Sequence, residues 1–108
     1  ILSDSTNEAI HKKIFEMICN TKPEVGLHYL QLAMESDVRE MLKTIQAPTL
    51  LINGELDIFS SPQVNEYMTQ QIGDSHWLEM PDTGHAPFLT KAEMFNAYLR
   101  HFLENLIV

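Results

Sequence analysis

With one cysteine in 108 residues, Cys19, the chain has no internal disulfide to hold it together. Its setting among Ile14, Phe15, Met17 and Ile18 predicts a buried thiol on an apolar helix face, which fits a reducing, cytoplasmic compartment. Positive charge is scarce as well. Seven Lys and Arg stand against fifteen Asp and Glu, a net charge of -8. Partners held by counterion release are therefore excluded, because nucleic acid and anionic lipid both need clustered cations. No apolar run approaches the roughly 20 residues that cross a bilayer, so no membrane partner is expected. There is no internal repeat, no low-complexity linker and no initiating Met: the chain begins Ile1-Leu2-Ser3, and an upstream portion is expected. His11, His28, His76 and His101 lack metal-ligand spacing and are read as structural or surface residues, so no metal or cofactor is expected.

What is present reads as an ordinary globular sequence, 44% hydrophobic and 20% charged. Residues 1–46 read as helices joined by short turns. Ser5-Thr6-Asn7-Glu8 has capping-box spacing, and Ile10, Ile14 and Ile18 follow on one face. Thr21-Lys22-Pro23-Glu24 closes that helix and opens a second, striped by Leu27, Leu30 and Met34. Asp37-Val38-Arg39-Glu40 precedes a short third helix presenting Val38, Met41, Leu42 and Ile45. The six methionines are read as gap-filling core, with those of the first 46 residues as candidates for lining a pocket.

The pattern changes at Pro48. Thr49-Leu50-Leu51-Ile52 is a continuous apolar run, as a parallel strand covered on both faces requires. Ser61-Pro62 predicts a helix start, Gly73-Asp74 its stop, and His76 to Met80 a second strand ended by Pro81. Thr90-Lys91-Ala92-Glu93 reads as a capping box for a closing helix with Met94, Phe95, Tyr98, Phe102 and Leu106 on one face. Strand, helix, strand, helix is the order of an α/β fold with parallel strands.

Functional residues of open α/β sheets gather on the loops that follow the strands. Here those loops are Gly54-Glu55-Leu56-Asp57 and Asp82-Thr83-Gly84-His85. Neighbouring parallel strands would bring Asp57 and His85 to one sheet edge. A carboxylate on one imidazole nitrogen fixes the tautomer and stabilises the imidazolium, leaving the other nitrogen to take a proton from a nucleophile. Gly54 and Gly84 suit sharp loops that need backbone conformations closed to other residues. Asp57 is equally a common turn residue, and His85 a loop histidine without a task. Glu55 and Asp82 read as solvated loop carboxylates or as substitute acids. Pro87, Phe88 and Leu89 either pack the histidine loop or touch substrate.

The stretch from Ile45 through Pro48, Thr49-Leu50-Leu51-Ile52 and Gly54-Glu55-Leu56-Asp57, with Gly84-His85 and the closing amphipathic helix, resembles the last two strands and helices of the α/β-hydrolase family. The family's chain order of nucleophile, acid and histidine implies Asp57 as the acid and His85 as the histidine. The resemblance further implies that residues 1–46 are the remnant of a helical cap with its return helix and that 47–108 belong to the hydrolase core. The nucleophile is absent: none of Ser3, Ser5, Ser36, Ser60, Ser61 and Ser75 lies in Gly-x-Ser-x-Gly. The expectation is a C-terminal portion of a serine-type hydrolase acting on a small carboxylic ester or related acyl substrate, inactive alone. The rival is a non-catalytic interaction domain that pairs through an exposed strand edge. Either way, a homodimer or association with the missing upstream part is expected.

Overall fold

A computed structural model describes residues 8–106. The first capping box lies outside them except for Glu8, the first residue of α1 (Glu8–Cys19). The helix ends where Thr21 Oγ1 donates to the Met17 carbonyl at 3.0 Å. Pro23 then opens α2 (Pro23–Glu35) at its first turn, where its missing N–H breaks no helical bond. Ser36 closes that helix with its own N–H on the Leu32 carbonyl. The short α3 (Arg39–Leu42) follows Asp37, whose Oδ1 accepts the Arg39 N–H at 3.1 Å.

These three helices carry the expected apolar stripes but no buried residue. Cys19 is exposed, contrary to the sequence expectation. Met17, Met34 and Met41 are exposed too, and Met80 is the one methionine fully withdrawn from solvent. Periodicity fixes which face of a helix is apolar but not whether another layer covers it. In the α1 stripe Ile10 and Ile14 are half-buried, while Ile18 stays 55% exposed.

The α/β portion follows. Strand β1 (Thr49–Gly54) pairs in parallel with β2 (Ser75–Met80), in a register running from Thr49 opposite Ser75 to Gly54 opposite Met80. Helix α4 (Pro62–Gln71) makes the crossover. The sequence around its start dictates the geometry: Ser61 is extended and its hydroxyl accepts the Val64 N–H, while Pro62 supplies a preset φ at the first position. After β2 come the one-turn α5 (Pro87–Thr90) and the 13-residue α6 (Ala92–Glu104).

The capping box expected at Thr90 does not form. Pro87 starts a separate helical turn, so Thr90 is already helical and its hydroxyl turns back to the Ala86 carbonyl at 3.2 Å. Lys91 precedes α6 without a side-chain cap. The core gathers around the ends of the two strands, where Met80, Thr83 and Ile72 are at most 2% exposed. Two asparagines are buried with them, Asn53 and Asn65. Their amides are satisfied, Asn53 by Trp77 Nε1 and the Gly54 carbonyl, Asn65 by Ser60 and the Ser61 carbonyl.

Candidate functional site

Both loops that follow the strands begin by prolonging the parallel ladder. Glu55 N–H donates to the Met80 carbonyl at 2.9 Å and Leu56 N–H to the Thr83 carbonyl at 2.8 Å. The backbones come so close that a Cβ on Gly54 would fall well inside van der Waals contact of the Thr83 and Gly84 carbonyl oxygens. The requirement for glycine here is thus close approach. The sequence-based reason, a φ forbidden to other residues, does not apply, since no described glycine has positive φ. The left-handed backbone lies instead at Asp82, with φ of 46°.

This closure brings Asp57 and His85 together. His85 Nδ1 lies 3.1 Å from both carboxylate oxygens of Asp57, across 28 residues of sequence. The Asp57 side chain is 5% exposed and the His85 side chain 48%. With the carboxylate as acceptor, Nδ1 carries the proton and donates, so the neutral ring keeps a lone pair on Nε2. A nearly dry acid behind a half-open imidazole orients that ring from one side and leaves the other side approachable.

Asp57 also behaves as a turn residue, for its Oδ1 accepts the Phe59 N–H at 2.8 Å and its own N–H donates to the Gly54 carbonyl. The turn reading and the site reading of Asp57 are therefore compatible, because the turn is what aims the carboxylate. Behind it, Asn65 on α4 anchors the loop through Ser60. Glu55 and Asp82, considered as substitute acids, are engaged elsewhere. Glu55 Oε2 accepts the Asp82 N–H at 2.9 Å, and the Asp82 carboxylate faces Lys91 Nζ at 3.7 Å.

Sequence reasoning did not find Phe59 or Asn65. The Phe59 ring meets the His85 imidazole edge to face, with centroids 4.9 Å apart. The signal for it was its place two residues after an acid on a tight turn. Asn65 had none, a polar residue amid helical spacing that happens to face the core. Of the three apolar residues after His85, Pro87 is buried while Phe88 and Leu89 remain exposed. With Leu50 and Ile52 of β1, Phe88 lines a groove that reaches His85. No group of three or more His, Cys, Asp or Glu among the described residues is placed to hold a metal ion. No described helix is long and apolar enough to cross a membrane.

A strand-end carboxylate and histidine on adjacent parallel strands, with the crossover helix between them, coincides with a family match over residues 12–107, that of the TAP-like proteins. The chain belongs to the α/β-hydrolase family. It is similar to the pimeloyl-[acyl-carrier protein] methyl ester esterase of Neisseria meningitidis, 36% identical over 80% of this chain and 33% of that protein. Among solved structures of the family, a hydrolase from Oleispira antarctica superposes with a TM-score of 0.73 at 31% identity, covering 82% of this chain and 32% of that one. A thermophilic esterase from Thermogutta terrifontis gives 0.62 at 30% identity, over 68% and 27%. This α/β-hydrolase chain spans about a third of the length of the curated relatives it matches first.

Proposed function

We propose that Asp57 and His85 are the acid and the histidine of an ester hydrolase acting on a carboxylic ester or related acyl substrate. The observation that carries the reading is the contact of His85 Nδ1 with both oxygens of a nearly buried Asp57 carboxylate, while the ring itself stays half exposed. In that arrangement Nε2 takes the proton of an attacking hydroxyl as it bonds to the acyl carbon, and returns it to the departing alkoxide. Asp57 holds the tautomer and stabilises the transient imidazolium. The similar proteins named as esterases support the acyl class. The nucleophile belongs to a segment outside these 108 residues, since no serine here lies in Gly-x-Ser-x-Gly, and the 108-residue chain alone is expected to be inactive.

The test uses the full-length protein, a fluorophosphonate probe and p-nitrophenyl acetate. His85→Ala is expected to lower kcat on the order of 10⁶-fold and Asp57→Asn on the order of 10⁴-fold. Labelling and turnover that persist unchanged in His85→Ala sink the reading.

A second reading concerns association and rests on a different observation. The apolar stripe of α2 is open, with Leu27 66%, Leu30 56% and Met34 79% exposed, and Phe15 and Ile18 of α1 are 67% and 55% exposed. Surfaces of this kind are normally covered, here by a second copy or by further parts of the same protein.

A further inference from the structure

Beside the contact of His85 with Asp57, three further hydrogen bonds run between the acid loop and the end of β2 with its histidine loop, and one of the three is made by a side chain. Two are the backbone bonds from Glu55 and Leu56. The third runs from the Asp82 N–H to Glu55 Oε2 at 2.9 Å. An exposed Glu bonded to a passing amide is in most places a surface ornament. This amide differs, because Asp82 is the one described non-glycine residue with positive φ, at 46°. An L residue is strained there by the crowding of its Cβ against the carbonyl. Asp tolerates this region better than most residues, yet a rotation of Asp82 to negative φ would redirect Thr83, Gly84 and His85.

What holds Asp82 in place can be read from its two ends. Its amide N–H donates a hydrogen bond to Glu55 Oε2, and Lys91 Nζ faces its carboxylate at 3.7 Å. Thr83 is locked next, fully buried, with its hydroxyl on the Pro81 carbonyl at 2.7 Å and its own carbonyl on Leu56 N–H. Glu55 lies two residues before Asp57 and Asp82 three before His85. A bond between Glu55 and Asp82 therefore fixes the separation of the acid and the histidine from behind.

We propose that Glu55 is a positioning residue: its carboxylate holds Asp82 in the left-handed conformation and so sets His85 against Asp57. This rests on the reading of Asp57 and His85 as the acid and histidine of an ester hydrolase. Glu55 touches no reacting atom in this account. The bond needs an acceptor oxygen rather than a charge, so Gln serves and Ala does not. Glycine at position 82, free of the Cβ clash, makes the bond dispensable.

The experiment measures p-nitrophenyl acetate hydrolysis by the full-length protein and its Glu55→Ala, Glu55→Gln, Asp82→Gly and Glu55→Ala/Asp82→Gly variants, with His85→Ala as the control. Glu55→Ala is expected to lower kcat about 10-fold with KM within about twofold, as a misplaced catalytic group does. Glu55→Gln is expected to stay within about threefold of the parent, and the double variant to match Asp82→Gly. Activity retained in His85→Ala refutes the hydrolase reading itself. Activity lost in His85→Ala but kept in Glu55→Ala refutes the positioning role alone. So does a loss in Glu55→Gln equal to that in Glu55→Ala. If Glu55→Ala fails to fold, the double variant against Asp82→Gly decides: equal kcat supports the proposal and a further loss overturns it.

Discussion

At Gly54 the two loops of the candidate site pass so close that there is room for a hydrogen and nothing larger. The carbonyls of Thr83 and Gly84 occupy the space a side chain would need, and both belong to backbone that cannot swing aside. Gly54→Ala therefore forces the acid and histidine loops apart. The expected result is a destabilisation of about 1–3 kcal/mol, typical of overpacking at a close contact. The Asp57 to His85 contact should open with it, lowering the proposed ester hydrolysis by the full-length protein at least about 10-fold. Thermal unfolding and steady-state kinetics check the two halves separately, and an unchanged melting temperature with full turnover refutes the account. The turn made by Asp57 and its contact with His85 were legible from the sequence, since both use the same short carboxylate. The reason for Gly54 was less so: whether glycine serves a special φ or a close approach depends on what lies opposite, 29 residues further on and beyond.

At the scale of elements, local signals were read correctly where the local chain is sufficient to satisfy them. Ser61-Pro62 makes its cap because both requirements, an extended Ser and a fixed φ at Pro, are internal to the dipeptide. Thr90-Lys91-Ala92-Glu93 has capping-box spacing and makes none, because Pro87 starts a turn that captures the Thr90 hydroxyl first. The turn before α3 is a self-contained case that pH can address. Asp37 binds the Arg39 guanidinium and accepts its backbone N–H, and the side-chain bond foremost, then the backbone one, holds its carboxyl down at about 2 from the ordinary 3.8. A depressed carboxylate contributes stability above its unfolded value and loses it as pH falls through the folded one. The contribution of this pair to α3 is thus expected to be present above about 3.8 and gone below about 2. In Arg39→Ala the Asp37 titration midpoint should move part of the way back up, since the backbone N–H remains. Carboxyl NMR measures this directly, and a midpoint that does not move assigns the depression to something other than the side chain.

For the whole molecule, the parallel pair, its crossover and the site at the strand ends followed from sequence patterns, whereas burial did not. A stripe such as Leu27, Leu30 and Met34 reads identically whether the helix lies in a core or on an open surface, because periodicity encodes a face and not its neighbour. Here Leu27, Leu30 and Met34 are 66%, 56% and 79% exposed, so the apolar face of α2 lies open, while Ile10, Ile14 and Leu42 are half-buried. The two-stranded sheet adds to this, since the outer edges of β1 and β2 have no strand beside them among the described residues. Open apolar faces and open strand edges both favour association in water, the first by burial of apolar surface and the second by continuing the ladder. The two routes respond differently to substitution. Leu27→Ser with Met34→Ser weakens the helical route, and Leu50→Pro in β1, whose N–H alternates with those of Thr49 and Glu55 and so faces away from β2, weakens the edge route. Light scattering on the purified 108-residue chain is expected to give a mass above its 12.4 kDa. If the helices carry the association, the double serine variant lowers that mass while leaving the sheet intact by circular dichroism. A parent chain that runs as a stable monomer with one cooperative thermal transition refutes the association reading, and it means that faces so apolar are tolerated in solution uncovered.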